Sequence, residues 1–174
     1  MSLKKILSLV LLLTAAVALH AQPDTAQAPY QRFPQVPPFQ LLLGDSTTFY
    51  KKESLPKSKP VLLIIFSPEC SHCQHTAEEL VRYKDSLKNV QIVMATLHTI
   101  TQMNAFAETY GLKALSNVVL GKDVYFILPP FYKIRNLPFM ALYKANGDLI
   151  RTVEGSLPIQ NVIGLFKEGA PIKQ

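Results

Sequence analysis

Residues 61–66 read Val-Leu-Leu-Ile-Ile-Phe, without a polar break. A strand with one wet face alternates apolar and polar side chains. An unbroken run therefore predicts a strand buried on both faces, central in a sheet that helices cover. Ser67-Pro68-Glu69 ends the run. The spacing that follows predicts a helix from about Cys70 to Leu87, with Cys73, Ala77, Leu80, Val81 and Leu87 on one face and Asn89 as its stop.

The flanking segments predict a complete α/β domain. Phe39–Tyr50 reads as a hairpin, its runs FQLLL and TTFY joined across Gly44-Asp45-Ser46. Gln91–Leu97 predicts a second apolar strand. Thr101 is the expected cap of a helix with Met103, Phe106, Ala107 and Tyr110 inward and Gly111 at its end. Between Leu112 and Pro130, Val124–Leu128 reads as a short strand or an apolar loop. Phe139–Tyr143 and Leu149–Val153 are strands joined at Asn146-Gly147, a strong hairpin signal because both residues tolerate positive φ. Pro158 opens a last helix with Ile159, Val162, Ile163 and Phe166 inward. The order predicts a mixed sheet with helices on both faces and an extra hairpin before it.

The ends predict export. Lys4 and Lys5 precede an apolar stretch, Ile6–Ala18, and Leu19-His20-Ala21 offers a cleavage point. This is the pattern of a secretory signal peptide over residues 1–21, in which the apolar run falls short of the roughly 20 residues of a bilayer span. An uncleaved segment that anchors the chain is the alternative. No cysteine lies near Ala21, so a lipid-modified cysteine is excluded. Residues 22–38 are polar and proline-rich and predict a linker or an extended arm with little structure of its own. The domain then spans 39–168, with a tail at 169–174. The 174 residues carry 18 basic and 12 acidic side chains, a formal charge of +6, without a dense basic cluster, and so predict no nucleic-acid partner.

The chain has two cysteines, Cys70 and Cys73, in Cys70-Ser71-His72-Cys73. A disulfide between them would close only a tight turn and so gain little as a staple, which favours a chemical role. Disulfide exchange needs an attacking thiolate and a second thiol near enough to resolve the mixed disulfide. A helix N-terminus stabilises negative charge, so Cys70 is the expected nucleophile. Cys73, one turn on and inward, is the expected resolving thiol of a Cys70–Cys73 redox disulfide. A free thiol has a pKa near 8.5, so only about 3% is thiolate at pH 7, and each unit of depression is worth about 1.4 kcal/mol. His72 would tune the thiolate favourably. Glu69 would oppose it unless it turns into solvent. A zinc or copper site is the competing reading, with His72, His75 and His98 as the remaining ligands, but the spacing makes such a cage awkward. The other competitors are a binding module with an inert disulfide and, more remotely, a peroxidase.

VLLIIF, SPECSHC and the helix after them resemble the active-site segment of the thioredoxin superfamily. Tyr132-Lys133-Ile134-Arg135-Asn136-Leu137-Pro138, a strand, Lys144-Ala145-Asn146-Gly147-Asp148, a second strand and Gly155 resemble its second half. The resemblance runs from about residue 37 to 168. With the leader and the N-terminal hairpin it is most like the TlpA/ResA-like branch. It implies a thioredoxin-like fold and disulfide exchange on exported, periplasmic proteins, without a cofactor or metal, with recharging by a separate redox partner such as a membrane thiol donor. It implies that Pro138 is cis and holds a backbone edge beside Cys70 where substrate pairs as an added strand. Leu137 and Glu69 are then substrate contacts. Three departures stand out. Ile64 occupies the place of the family's buried acid, for which Glu108 and Asp123 are the candidate replacements. Glu69 replaces the usual aromatic residue. The Ser-His dipeptide is more like that of oxidant and isomerase members.

Overall fold

The computed structural model describes residues 27–168. The expected leader at 1–21, the first residues of the expected linker and the tail at 169–174 lie outside them. Seven strands form one mixed sheet in the order β2-β1-β5-β4-β3-β6-β7. They are β1 (Gln40–Leu42), β2 (Phe49–Lys51), β3 (Val61–Ile65), β4 (Gln91–Thr96), β5 (Val118–Lys122), β6 (Phe139–Tyr143) and β7 (Leu149–Glu154). β3, β4 and β5 run parallel, whereas β6, β7 and the β1–β2 hairpin are antiparallel. All five residues of β3 are buried, as its unbroken apolar run requires. Each such Leu or Ile contributes about 1.5–3 kcal/mol through burial.

The helices are α1 (Pro29–Arg32), α2 (Ser71–Arg82), α3 (Lys84–Leu87), α4 (Ile100–Thr109), α5 (Leu128–Tyr132) and α6 (Ile159–Glu168). One face of the sheet, through Leu62, Ile64, Ile92, Met94, Met140 and Leu142, packs on α2, α4 and α6. The other face, through Leu63, Ile65, Val93 and Ala141, packs on Val36, Phe39 and the α5 residues Leu128 and Tyr132. Glu79 of α2 is buried, and its carboxylate accepts the Ile159 N–H at 3.1 Å, which ties α6 to α2. Among the described residues no helix is long and apolar enough to cross a membrane.

Four expectations need correction, and one open alternative is resolved. The segment from Ala28 to Pro38 is no free linker. Ala28 and Val36 are buried, the Val36 N–H donates to the Gly147 carbonyl at 3.1 Å, and the Leu149 N–H donates to Pro34 at 2.8 Å. Pairing with the β6–β7 turn satisfies the Val36 N–H and the Pro34 carbonyl, which a proline-rich composition cannot reveal. The helix after Cys70 breaks at Tyr83 instead of running unbroken to Leu87. The cap of α4 is Thr99, whose hydroxyl accepts the Gln102 N–H at 3.2 Å, and not Thr101. The strand between Leu112 and Pro130 is Val118–Lys122. Of the two readings for Val124–Leu128, the apolar loop holds: the segment forms a turn and the first residue of α5.

Candidate active site

The parallel strands β3, β4 and β5 end at one edge of the fold, and the cysteines lie there. Ser67 follows β3 and closes the turn into α2. Its carbonyl accepts the Cys70 N–H at 3.2 Å, and its hydroxyl accepts the Glu69 N–H at 3.2 Å. Cys70 is the N-cap of α2, in extended conformation. The Cys73 N–H, in the first turn of the helix, is shared between the Cys70 carbonyl at 3.0 Å and Cys70 Sγ at 3.3 Å. The cap is therefore a sulfur atom, which faces the positive end of the helix dipole.

Cys70 is half-buried and Cys73 is buried, and both are free thiols. Burial, followed by the bond to the Cys70 side chain, pushes the Cys73 thiol up to about 12, while the Ser67 amide works against this. Cys73 therefore holds its proton at neutral pH. The Leu137–Pro138 peptide is cis, and the Cys70 thiol donates to the Leu137 carbonyl at 3.7 Å. Three separate segments thus meet at Cys70 Sγ: the β3–α2 turn, the first turn of α2 and the loop before β6.

The remaining expected residues fall as follows. His72 is exposed on the first turn of α2, and its carbonyl accepts the Thr76 hydroxyl at 2.9 Å. Glu69 is exposed and turns to Gln102, whose amide donates to it at 3.2 Å. Ile64 is buried. Neither proposed replacement acid stands by the cysteines. Glu108 is exposed and paired with Lys113, which holds its carboxyl below the ordinary range. Asp123 is 3% exposed, but its carboxylate accepts the Ile127 and Leu128 N–H groups at 3.1 and 2.8 Å. His75 is exposed beside Glu78. Among the described residues no three His, Cys, Asp or Glu side chains are placed to hold a metal ion.

Sequence reasoning weighed His98 only as a metal ligand and gave Ser67 no part beyond ending a strand. The structure joins them, with His98 Nε2 at 3.0 Å from Ser67 Oγ. The bond links the β4–α4 connection to the turn that carries Cys70. The two residues lie 31 positions apart, so no spacing signal exposes the pair. Both line a cavity of about 240 Å³, walled also by Leu97, Pro129, Ile134 and Leu137.

A family profile described as Thioredoxin-like domain matches residues 51–170. Among curated proteins none matches the chain in sequence. Solved structures match over most of its length. A secreted disulfide oxidoreductase of Mycobacterium tuberculosis, homologous to Escherichia coli DsbE, is 19% identical, with 75% of this chain and 95% of that chain covered and a TM-score of 0.63. A Chlorobium tepidum protein ascribed to the DsbE thiol:disulfide interchange type is 17% identical, with 78% and 94% covered and a TM-score of 0.63. A reduced 2-Cys peroxiredoxin of Plasmodium vivax is 16% identical, with 77% and 93% covered and the same TM-score, 0.63. Proteins of different chemistry thus match equally well, and these similarities show the fold alone.

Proposed function

Because the chain belongs to the thioredoxin-like domain family, we propose that it is a thiol–disulfide oxidoreductase that reduces disulfides of exported proteins through Cys70 and Cys73. The observation that carries the reading is the position of Cys70 Sγ. It caps α2 at 3.3 Å from the Cys73 N–H and lies 3.7 Å from the Leu137 carbonyl, next to the cis proline.

The reaction follows from that position. The Cys70 thiolate, stabilised by the helix N-terminus, attacks one sulfur of the substrate disulfide. A mixed disulfide forms, and the other substrate sulfur leaves with the electron pair. Substrate is held as an added strand along the Leu137–Pro138 edge, with the exposed Glu69 at the rim. Cys73 then attacks Cys70 Sγ and passes its proton to the departing substrate sulfur. The substrate has gained two electrons, and the enzyme holds a Cys70–Cys73 disulfide. A separate thiol donor, membrane-bound in this reading, returns the pair to the dithiol. His72, exposed on the first turn, tunes the thiolate by offering a donor or positive charge. The thiol of Cys73, pushed up by burial, keeps it from competing as nucleophile. The leader pattern at residues 1–21 and the likeness to the secreted, DsbE-related protein support a periplasmic site of action and a TlpA/ResA-like role.

Two measurements test the reading. Cys73→Ser should accumulate a mixed disulfide with substrate, whereas Cys70→Ser should form none and lose turnover. The potential of the pair against glutathione should fall near the roughly −270 mV of thioredoxin. A value near −120 mV would make the protein an oxidant instead.

A further inference from the structure

Among the described residues, five large apolar side chains are exposed: Phe33, Leu97, Val124, Tyr125 and Phe126. All but Phe33 lie at the edge of the fold that carries Cys70. Leu97 follows β4, and the other three follow β5. Strand register places these ends side by side, Ile65 against Ala95 and Thr96 against Lys122.

The tip at 124–126 is built, not loose. Phe126 takes φ 53, a left-handed conformation that an aromatic residue rarely adopts. Asp123, buried beneath it, spans the turn with both carboxylate oxygens. Tyr125 stacks on Phe49 of β2, with centroids 6.1 Å apart and planes 24° from parallel. Gly or Asn is the usual occupant at such a φ; Ser46 and Lys133 also adopt it in this chain, but Phe126 is the aromatic residue that does so among the described residues. Here a buried carboxylate and an unfavourable backbone conformation together hold apolar rings in water, an arrangement that costs stability and points to a use.

The tip is continuous with the cysteine site. Pro129 of α5, just past the tip, and Leu97 both wall the cavity of about 240 Å³, which is also lined by Leu137, whose carbonyl meets Cys70. Its lining is mostly apolar, with Ser67, His98 and Arg135 as the polar residues and no carboxylate. Its volume is below the roughly 300–1,000 Å³ of small-molecule pockets and suits one side chain.

We propose that this track docks an extended apolar segment of a non-native exported polypeptide. One apolar side chain near the substrate cysteine enters the cavity, and further apolar side chains lie on Tyr125 and Phe126. The proposal rests on the function above and narrows its substrate class. A substrate must present an extended backbone at Leu137 together with several neighbouring apolar side chains, and folded proteins bury such stretches. A lipid surface would suit the rings but would leave the cavity and the Leu137 edge unused.

The test uses the full chain and two peptides, each carrying one cysteine capped by glutathione, with Leu and Phe flanks in one and Ser and Gly flanks in the other. Hydroxyethyl disulfide serves as the small control. Wild type should prefer the apolar peptide by about tenfold in kcat/KM, the scale of losing a few interface anchors. Tyr125→Ser with Phe126→Asn, the Asn chosen because it tolerates left-handed φ, should lose that preference. Leu97→Ser, at an already exposed position, should reduce it separately. The rate of the Tyr125→Ser, Phe126→Asn variant with hydroxyethyl disulfide should stay within about twofold of wild type. Equal preference in wild type and variants overturns the proposal. So does binding to phosphatidylglycerol vesicles that needs Tyr125 and Phe126 while no peptide preference exists. Wild type that reduces neither peptide nor the small disulfide overturns the oxidoreductase reading itself, and this proposal with it.

Discussion

Two turns leave the same edge of the sheet, and the fold pins them by different chemistry. After β3, the Ser67 hydroxyl accepts the Glu69 N–H and meets His98, and the turn delivers Cys70. After β5, the Asp123 carboxylate accepts two N–H groups, and the turn delivers the aromatic tip. The carboxylate makes the stronger bonds. Beside a sulfur that must become an anion, however, its charge would oppose ionisation. The neutral hydroxyl serves where the thiol reacts, and the charged group serves where only shape matters. Stability and reactivity therefore make opposite demands on one structural task, and the chain answers them at two separate positions.

The sharpest way to break this contrast is Asp123→Ala. It leaves two amides without acceptors in a site that is 3% exposed, so unfolding in urea should show a loss of about 2–4 kcal/mol, with Cys70 alkylation unchanged. Next in size is Ser67→Asp, which places the β5-type acceptor beside the thiol. Alkylation of Cys70 at pH 7 should slow by about tenfold, equivalent to about 1.4 kcal/mol. Ser67→Ala should cost about 1 kcal/mol of stability, read from the same urea curves, because the turn is only partly buried. Cys73 supplies an alkaline signature. Burial pushes its thiol up to about 12 in the fold, well above the ordinary thiol range, so the folded dithiol binds that proton more tightly than the unfolded chain. The stability this adds is complete below about pH 9 and is lost as pH rises towards 12; it should be missing from Cys73→Ser across that window. The smallest effect concerns the β1–β2 turn. Asp45 is held down to about 2 by the Thr48 hydroxyl first and then by the Thr48 and Thr47 amides. Its contribution is present above 3.8 and is lost as pH falls through about 2, so Asp45→Asn should flatten only the acid limb of the stability curve.

The sequence made some of this legible for clear physical reasons. VLLIIF could hide its side chains only in a central strand, and Asn146-Gly147 could hardly turn otherwise. The positions of Cys70 and Cys73 followed from where α2 starts. What escaped was whatever depends on distant partners. β5 reads weakly because it contains Gly121, yet glycine is needed there: any side chain would fall on Leu41 of β1. Val124–Leu128 has the stronger strand composition, but Asp123 bends it into a turn. Pro129 and Pro130 suggest a break, although proline fits the first turn of a helix, and α5 uses it so. The Ser67–His98 bond needed the strands in register before its two halves could be seen as one feature.

The docked arm bears on how the chain acquires its shape. Gln35 bonds to Asp148 across a separation of 113 positions, and Pro34 and Val36 bond to the same hairpin. Such a closure gains nothing until β6 and β7 exist, since it pays loop entropy without local contacts to offset it. The arm is synthesised before β6 and β7 and can settle only once they have formed. Val36 belongs to the same buried cluster as Phe39, Leu63 and Val93, so a chain shortened to begin at residue 39 would fold with an apolar gap in that cluster.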